Sequence, residues 1–252
     1  MVRDQLIEHI EKNNLLSKNQ HGFRRGFSCL TKLLAHYEEI LRNYMNGSDT
    51  DVIYLDYAKA FDKVDHILLL KKLKMYRITG HTYKWIEAFL QTRTQKVVIK
   101  GYSSFIAAVL SGVPQGSVLG PILFLIFIND INYIELNSTI RCFADDTRLT
   151  KSIQNSQQDT TKLQSDLDAV TQWSEDNNMT LNKTKFEIIF HESHRNFNTK
   201  LLLSNLPFSD ESSASKYQTI NGYKLLPQSR VCDLGSINHQ QSNMVSTHPQ
   251  NC

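Results

Sequence analysis

Three carboxylates in this chain could work together. Asp56 stands at the end of one apolar run, and the doublet Asp145-Asp146 lies between two others. An acidic doublet alone is also what an exposed turn carries, because Asp side chains bond back to turn backbone. A third acid in the same cleft changes the chemistry. Converging carboxylates repel unless divalent cations neutralise them, and Mg²⁺ prefers such hard oxygen ligands while keeping waters and phosphate oxygens. Two ions about 3.5 to 4 Å apart can activate an attacking hydroxyl and stabilise the leaving oxygen of an in-line phosphoryl displacement.

Other residues suit that chemistry. Phe61 lies five positions beyond Asp56, past the point where the chain turns back over a cleft. A ring there either excludes a ribose 2′-hydroxyl or simply packs in the core. Gly112-Val-Pro-Gln-Gly-Ser-Val-Leu-Gly-Pro121 holds three Gly and two Pro before an apolar stretch. Such a turn lets backbone approach a ligand, and Gln115 offers both a donor and an acceptor. No G-K-[ST] follows, so it is not a P-loop. Lys71, Lys72, Lys74, Arg77, Lys84, Arg93, Lys96 and Lys100 face one acid, Glu87, among aromatic residues. A phosphate backbone is the natural partner of such a stretch, and the alternative is a solvated helix face with the aromatic residues turned inward.

The elements that must position these groups follow from periodicity. Leu30, Leu33, Leu34, Tyr37, Ile40, Leu41, Tyr44 and Met45 recur at helical spacing, with Ser28 as N-cap and Gly47 as stop. Val52 to Leu55 reads as a strand ending at Asp56, followed by helical patterning over Val64 to Met75. Lys96 to Lys100 and Phe105 to Leu110 read as strands separated by Gly101 to Ser104, and Pro121 opens a helix through Ile122 to Ile128. Ile140 to Ala144 and Thr147 to Lys151 read as strands with Asp145 and Asp146 as the two-residue turn. A helix through Leu163, Leu167 and Val170 and a strand through Phe186, Ile188 and Phe190 complete a split βαββαβ order, in which the first strand neighbours the central hairpin.

The 252 residues, 40% of them hydrophobic, suffice for one large or two small cores. A net charge of +3 says little about partners. Cysteines at 29, 142, 232 and 252 form no C-x-x-C pair, which indicates neither a disulfide framework nor zinc and makes a reducing compartment the default. Residues 1–20 lack the apolar core of a secretory signal, and the longest apolar run, seven residues, is too short for a bilayer. Beyond residue 190, Ser, Asn and Gln make up about a third of the segment, the composition of loop or disordered sequence, with a boundary near 195.

Together these pieces resemble the reverse transcriptase domain of non-LTR retrotransposons of the jockey and CR1-like kind. The matching stretches are Gln20-His-Gly-Phe-Arg24, Tyr54-Leu-Asp-Tyr-Ala-Lys-Ala-Phe-Asp62, Gly112 to Pro121, Phe143-Ala-Asp-Asp146 and Leu181-Asn-Lys-Thr-Lys185, with a weaker echo of the family's primer grip at Cys232-Asp-Leu-Gly235. The resemblance implies an α+β fold, the palm of a right-hand polymerase on a ferredoxin-like core. Partial fingers would occupy residues 1–50, the palm 51–195, and a polar tail with a degenerate primer grip 196–252, with little or no thumb. It implies that Asp56, Asp145 and Asp146 hold two Mg²⁺ ions, with Mn²⁺ as a substitute, and that Lys185 protonates the departing pyrophosphate. Phe61, as the gate against ribonucleotides, Gln115, Arg24 and Tyr57 fall on substrate-binding positions. Partners would be an RNA template, a DNA primer and deoxynucleoside triphosphates, in the nucleus or a cytoplasmic ribonucleoprotein, although these residues carry no address.

Three departures qualify the resemblance. Phe27-Ser28-Cys29 stands where the family has an Arg-Ser-Thr-like sequence, Ser236 replaces a usual Val, and the resemblance leads one to expect neither an endonuclease nor full fingers and thumb within these 252 residues. The expected activity is RNA-directed DNA synthesis, with a catalytically silent nucleic-acid-binding remnant as the alternative. Phe61 speaks against an RNA-templated RNA polymerase.

Overall fold

A computed structural model describes residues 2–182, 185–193, 217, 230–233 and 236–239. The chain runs through α1 (Val2–Lys12), α2 (Cys29–Met45), β1 (Asp49–Leu55), α3 (Ala60–Lys63), α4 (His66–Met75) and α5 (Gly80–Leu90). Short strands β2 (Thr94–Gln95), β3 (Val98–Ile99), β4 (Tyr102–Ser103) and β5 (Ala107–Ala108) precede α6 (Gly120–Ile128) and a 3₁₀ turn. Then come β6 (Thr139–Phe143), β7 (Asp146–Ile153), α7 (Ser156–Asp176), β8 (Glu187–His191), β9 (Arg230–Asp233) and β10 (Ser236–His239).

The central sheet has the order β6-β7-β1-β8, with every neighbouring pair antiparallel. This is the split βαββαβ arrangement, and it seats β1 directly against the hairpin strand β7. Side chains alternate across the sheet. Ile53, Leu55, Ile140, Cys142, Leu149 and Ile188 join the main core beneath α4, α6 and α7, whereas Val52, Tyr54 and Ile189 gather with Ile40 of α2 on the other face. Ile122 to Ile128 is buried on all sides, so α6 has no polar face to give it a period.

The structure departs from the periodicity in three places. Helix α2 starts where the spacing predicts, with a reciprocal capping box between Ser28 and Thr31. Yet Leu30, Leu34, Leu41 and Met45 are exposed, while Lys32, His36 and Ile40 are buried. The sheet face beneath α2 is mixed: beside the apolar Val52 and Ile189, the Lys32 ammonium donates to the Asp146 carbonyl at 3.3 Å, and His36 Nε2 lies 3.4 Å from the Tyr54 hydroxyl. The polar side of the helix finds its partners there.

The two-residue turn between β6 and β7 is Ala144-Asp145 rather than Asp145-Asp146, since Phe143 pairs with Asp146. Ala144 takes the left-handed conformation, φ 54°, that the tight turn demands. The 94–108 segment likewise turns at Lys100-Gly101, both left-handed, instead of across 101–104. Most of the tail lies outside the described residues. Within it β9 pairs antiparallel with β10, and Tyr217 is buried with its hydroxyl 2.5 Å from Asp51 Oδ2. A buried phenol with a polar partner anchors that residue to the sheet, although the local composition predicts loop.

Candidate active site

The antiparallel register of β1 and β7 ends on the pair Leu55↔Thr147, so one step further Asp56 comes level with Asp146. Asp145, at the hairpin tip, completes the acidic end of the sheet. All three acids are half-buried. Burial, the largest cause, raises the Asp145 carboxyl above its ordinary range; a backbone bond opposes the rise, and the charges of Asp146 and Asp56 add to it. The Asp146 carboxyl is raised first by burial, against the pull of the Lys32 cation. The acids therefore feel one another's field. Among the described residues, however, no group of three His, Cys, Asp or Glu stands ready to hold a metal ion.

A cation already meets the site. Lys185 Nζ lies 3.2 Å from Asp56 Oδ2, and Asn182 Nδ2 donates to the same oxygen at 3.2 Å. The Asn182 amide also donates to the Asp56 carbonyl at 2.8 Å, so the stretch around Leu181 to Lys185 is tied to the end of β1. Lys183 and Thr184 of that stretch lie outside the described residues.

The hairpin tip is held by the first motif. Gln20 is fully buried: its Oε1 accepts from the amides of Gly22 and Ala144, each at 2.8 Å, and its Nε2 donates to the Ala144 carbonyl at 3.2 Å. Gly22 is required by this approach, since a Cβ there would stand 2.4 Å from the Ala144 nitrogen. The Arg24 guanidinium donates to the Ser17 and Gln20 carbonyls and lies over the Phe27 ring, so it braces this loop. Lys32, pushed down to about 7 by burial, supports Asp146 from beneath. Residue types and spacing held no sign of the roles of Gln20 and Lys32, because the hairpin they hold is more than a hundred positions away.

On the other side, Lys59 is left-handed at φ 53°, turning the chain into α3 over the end of β1. The half-buried Phe61 ring stacks on Phe124 at 4.3 Å and meets Phe23 edge-on at 6.1 Å. The exposed Gln115 donates to Asp62 Oδ1 at 3.1 Å, and the Val113 amide donates to the Phe61 carbonyl at 2.9 Å, so the Gly-rich loop and the Phe61 turn are tied together. Tyr57 does not join them. It is buried, edge-on to Trp173, with its hydroxyl 3.4 Å from Ser174, because β1 ends by feeding its ring into the main core. The Tyr57 ring therefore packs in the core, away from the Phe61 and Gln115 side chains.

The basic stretch divides as well. Lys72 is buried, bonded to the Phe127 carbonyl and Asn177 at 2.6 Å each and paired with Asp130, and Arg93 donates to the Gly112 carbonyl at 2.7 Å. Those two cations hold structure, and Lys74 lies over the Tyr83 ring.

A family described as reverse transcriptase (RNA-dependent DNA polymerase) matches residues 1–225. The RNA-directed DNA polymerase from mobile element jockey of Drosophila melanogaster is 32% identical over 192 residues, 73% of this chain and 21% of that protein. The probable RNA-directed DNA polymerase from transposon X-element of the same organism is 29% identical over 60% of this chain and 17% of its own length. The chain thus spans about a fifth of these curated relatives. Among solved structures, telomerase from Candida tropicalis in complex with a fragment of telomeric RNA superposes with a TM-score of 0.57 at 12% identity, over 77% of this chain and 34% of that one. At that identity the likeness speaks for the right-hand polymerase fold alone.

Proposed function

We infer from the chain's place in the reverse transcriptase (RNA-dependent DNA polymerase) family, to which it belongs across residues 1–225, that it is a polymerase palm extending a DNA primer on an RNA template. The observation that carries this reading is the β1–β7 register, which brings Asp56 level with the Asp145-Asp146 hairpin although the two segments are far apart in sequence.

Asp56, Asp145 and Asp146 are the residues that would hold divalent cations, Mg²⁺ by their hard oxygen chemistry, and the raised Asp145 and Asp146 carboxyls fit a site that a cation relieves. Bound there, such ions supply activation of the primer hydroxyl and neutralisation of the departing pyrophosphate. The chain's own groups do the rest. Gln20 fixes the Ala144-Asp145 turn, so the acids meet a substrate without reorganising. Phe61 presents a ring held by Phe124 and Phe23 against a ribose 2′-hydroxyl. Gln115 presents its amide beside Asp62 to the base or template, and Lys185, now paired with Asp56, offers an ammonium to the leaving oxygen when that pair parts.

A second reading has its own support: the Lys185–Asp56 pair occupies one acid, and no metal-holding group of three is gathered among the described residues. On it the chain binds nucleic acid without extending primers. Primer extension on an RNA template with deoxynucleotides and Mg²⁺, run beside binding at two salt concentrations, separates the two. Extension selects the polymerase, whereas salt-sensitive binding without extension selects the silent binder.

A further inference from the structure

Residues 93–110 form a two-stranded ribbon that the proposed chemistry leaves unused. Thr94 and Gln95 pair with Ala108 and Ala107, Val98 and Ile99 with Ser103 and Tyr102, and the Val109 amide donates to the Arg93 carbonyl at 2.9 Å. The I′-like turn at Lys100-Gly101 closes it. Nearly everything on it faces solvent: Tyr102 is 84% exposed, Phe105 98%, Ile106 70% and Leu110 84%. A run of bulky apolar side chains in water marks an interaction surface.

Charge identifies the occupant. No Asp or Glu occurs between Glu87 and Asp130, while Arg93, Lys96 and Lys100 lie on the ribbon. A polyanion with flat, stackable groups suits exposed rings flanked by cations better than a protein face does. The ribbon also leads somewhere. A groove of about 820 Å³ at its base is lined by Lys59, Arg93, Gln95, Pro114 and Gln115, with one acid, Asp62, that the Gln115 amide engages, and it runs onto the Gly-rich loop.

We propose that this ribbon docks single-stranded RNA, with bases stacked on Tyr102 and Phe105 and phosphates against Lys96 and Lys100, and guides the strand toward Gln115. The choice of RNA rests on the polymerase reading, in which RNA is the template. The test reads binding alone, so it stands or falls separately from catalysis.

Fluorescence anisotropy of a labelled mixed-sequence single-stranded RNA would be measured with the 252-residue chain and two double variants. Tyr102→Ser with Phe105→Ser should weaken RNA binding about tenfold or more. Lys96→Gln with Lys100→Asn should also weaken it and lower the salt slope by about 1.4. All four residues are exposed, so circular dichroism should stay that of the parent. RNA affinity unchanged in the aromatic variant overturns the proposal, as does an unaltered salt slope in the lysine variant. Equal competition by single-stranded DNA of the same sequence overturns the assignment to RNA. Should the aromatic variant lose self-association in sedimentation while keeping RNA affinity, the ribbon is a protein interface and the proposal falls. Weakened RNA binding in a chain that extends no primer upholds the ribbon while the polymerase reading fails on its own evidence.

Discussion

One buried amide, that of Gln20, satisfies two backbone donors and one acceptor around Ala144, the residue before Asp145. Gln20→Ala would leave the amides of Gly22 and Ala144 without their acceptor, and stability should fall by about 2 to 3 kcal/mol. Urea denaturation checks this, and an unmoved midpoint would show that the clamp contributes nothing. Phe61→Ala should raise ribonucleotide incorporation in a primer-extending chain, because the stacked ring is what would meet a 2′-hydroxyl. An unaltered ratio of ribo- to deoxynucleotide use would leave the ring as core packing only. At this scale the residue types were informative and their partners were not. An acid after a β-branched run announces a strand end, but nothing local in Gln20, Lys32 or Tyr57 says that the first two reach the hairpin and the third turns inward.

Helices and strands were legible where local chemistry decides them. Ser28 and Thr31 cap α2 reciprocally, and Ser28→Ala should cost about 1 kcal/mol in thermal or urea unfolding. A variant as stable as its parent would mean that tertiary packing alone fixes that helix start. Which face α2 buries was not legible, because leucine spacing favours the apolar side whereas Tyr54 and the Asp146 carbonyl receive His36 and Lys32. The hairpin at 144–145 shows the same limit. Two adjacent acids look like a turn, but pairing of Phe143 with Asp146 moves the turn by one residue and puts Asp146 on the strand facing Asp56.

Across the whole molecule, the order of patterned segments predicted the sheet because a split βαββαβ chain has few un-knotted ways to bury its apolar faces. The polar tail carried no such pattern, and the docking of Tyr217 on Asp51 could not be read from it. Burial also gives the fold a pH dependence. It pushes His21 and His191 down to about 4 and His36 to about 2, against about 6.5 in an unfolded chain. Between those values the unfolded state binds protons that the folded state refuses, so this contribution is complete above about pH 6.5 and is lost as pH falls. His36→Gln should therefore lose less stability between pH 7 and 4.5 than its parent in urea titrations, and equal losses would refute the buried neutral His36. The proposed chemistry turns on three acids acting together at the end of the sheet. Single-turnover extension by the parent, Asp56→Asn, Asp145→Asn and the double variant tests that directly. Each single change should lower the rate at least about a thousandfold, near 4 kcal/mol of transition-state stabilisation, and the double change should add little because the groups work as a unit. Extension by Asp145→Asn at the parental rate would contradict it.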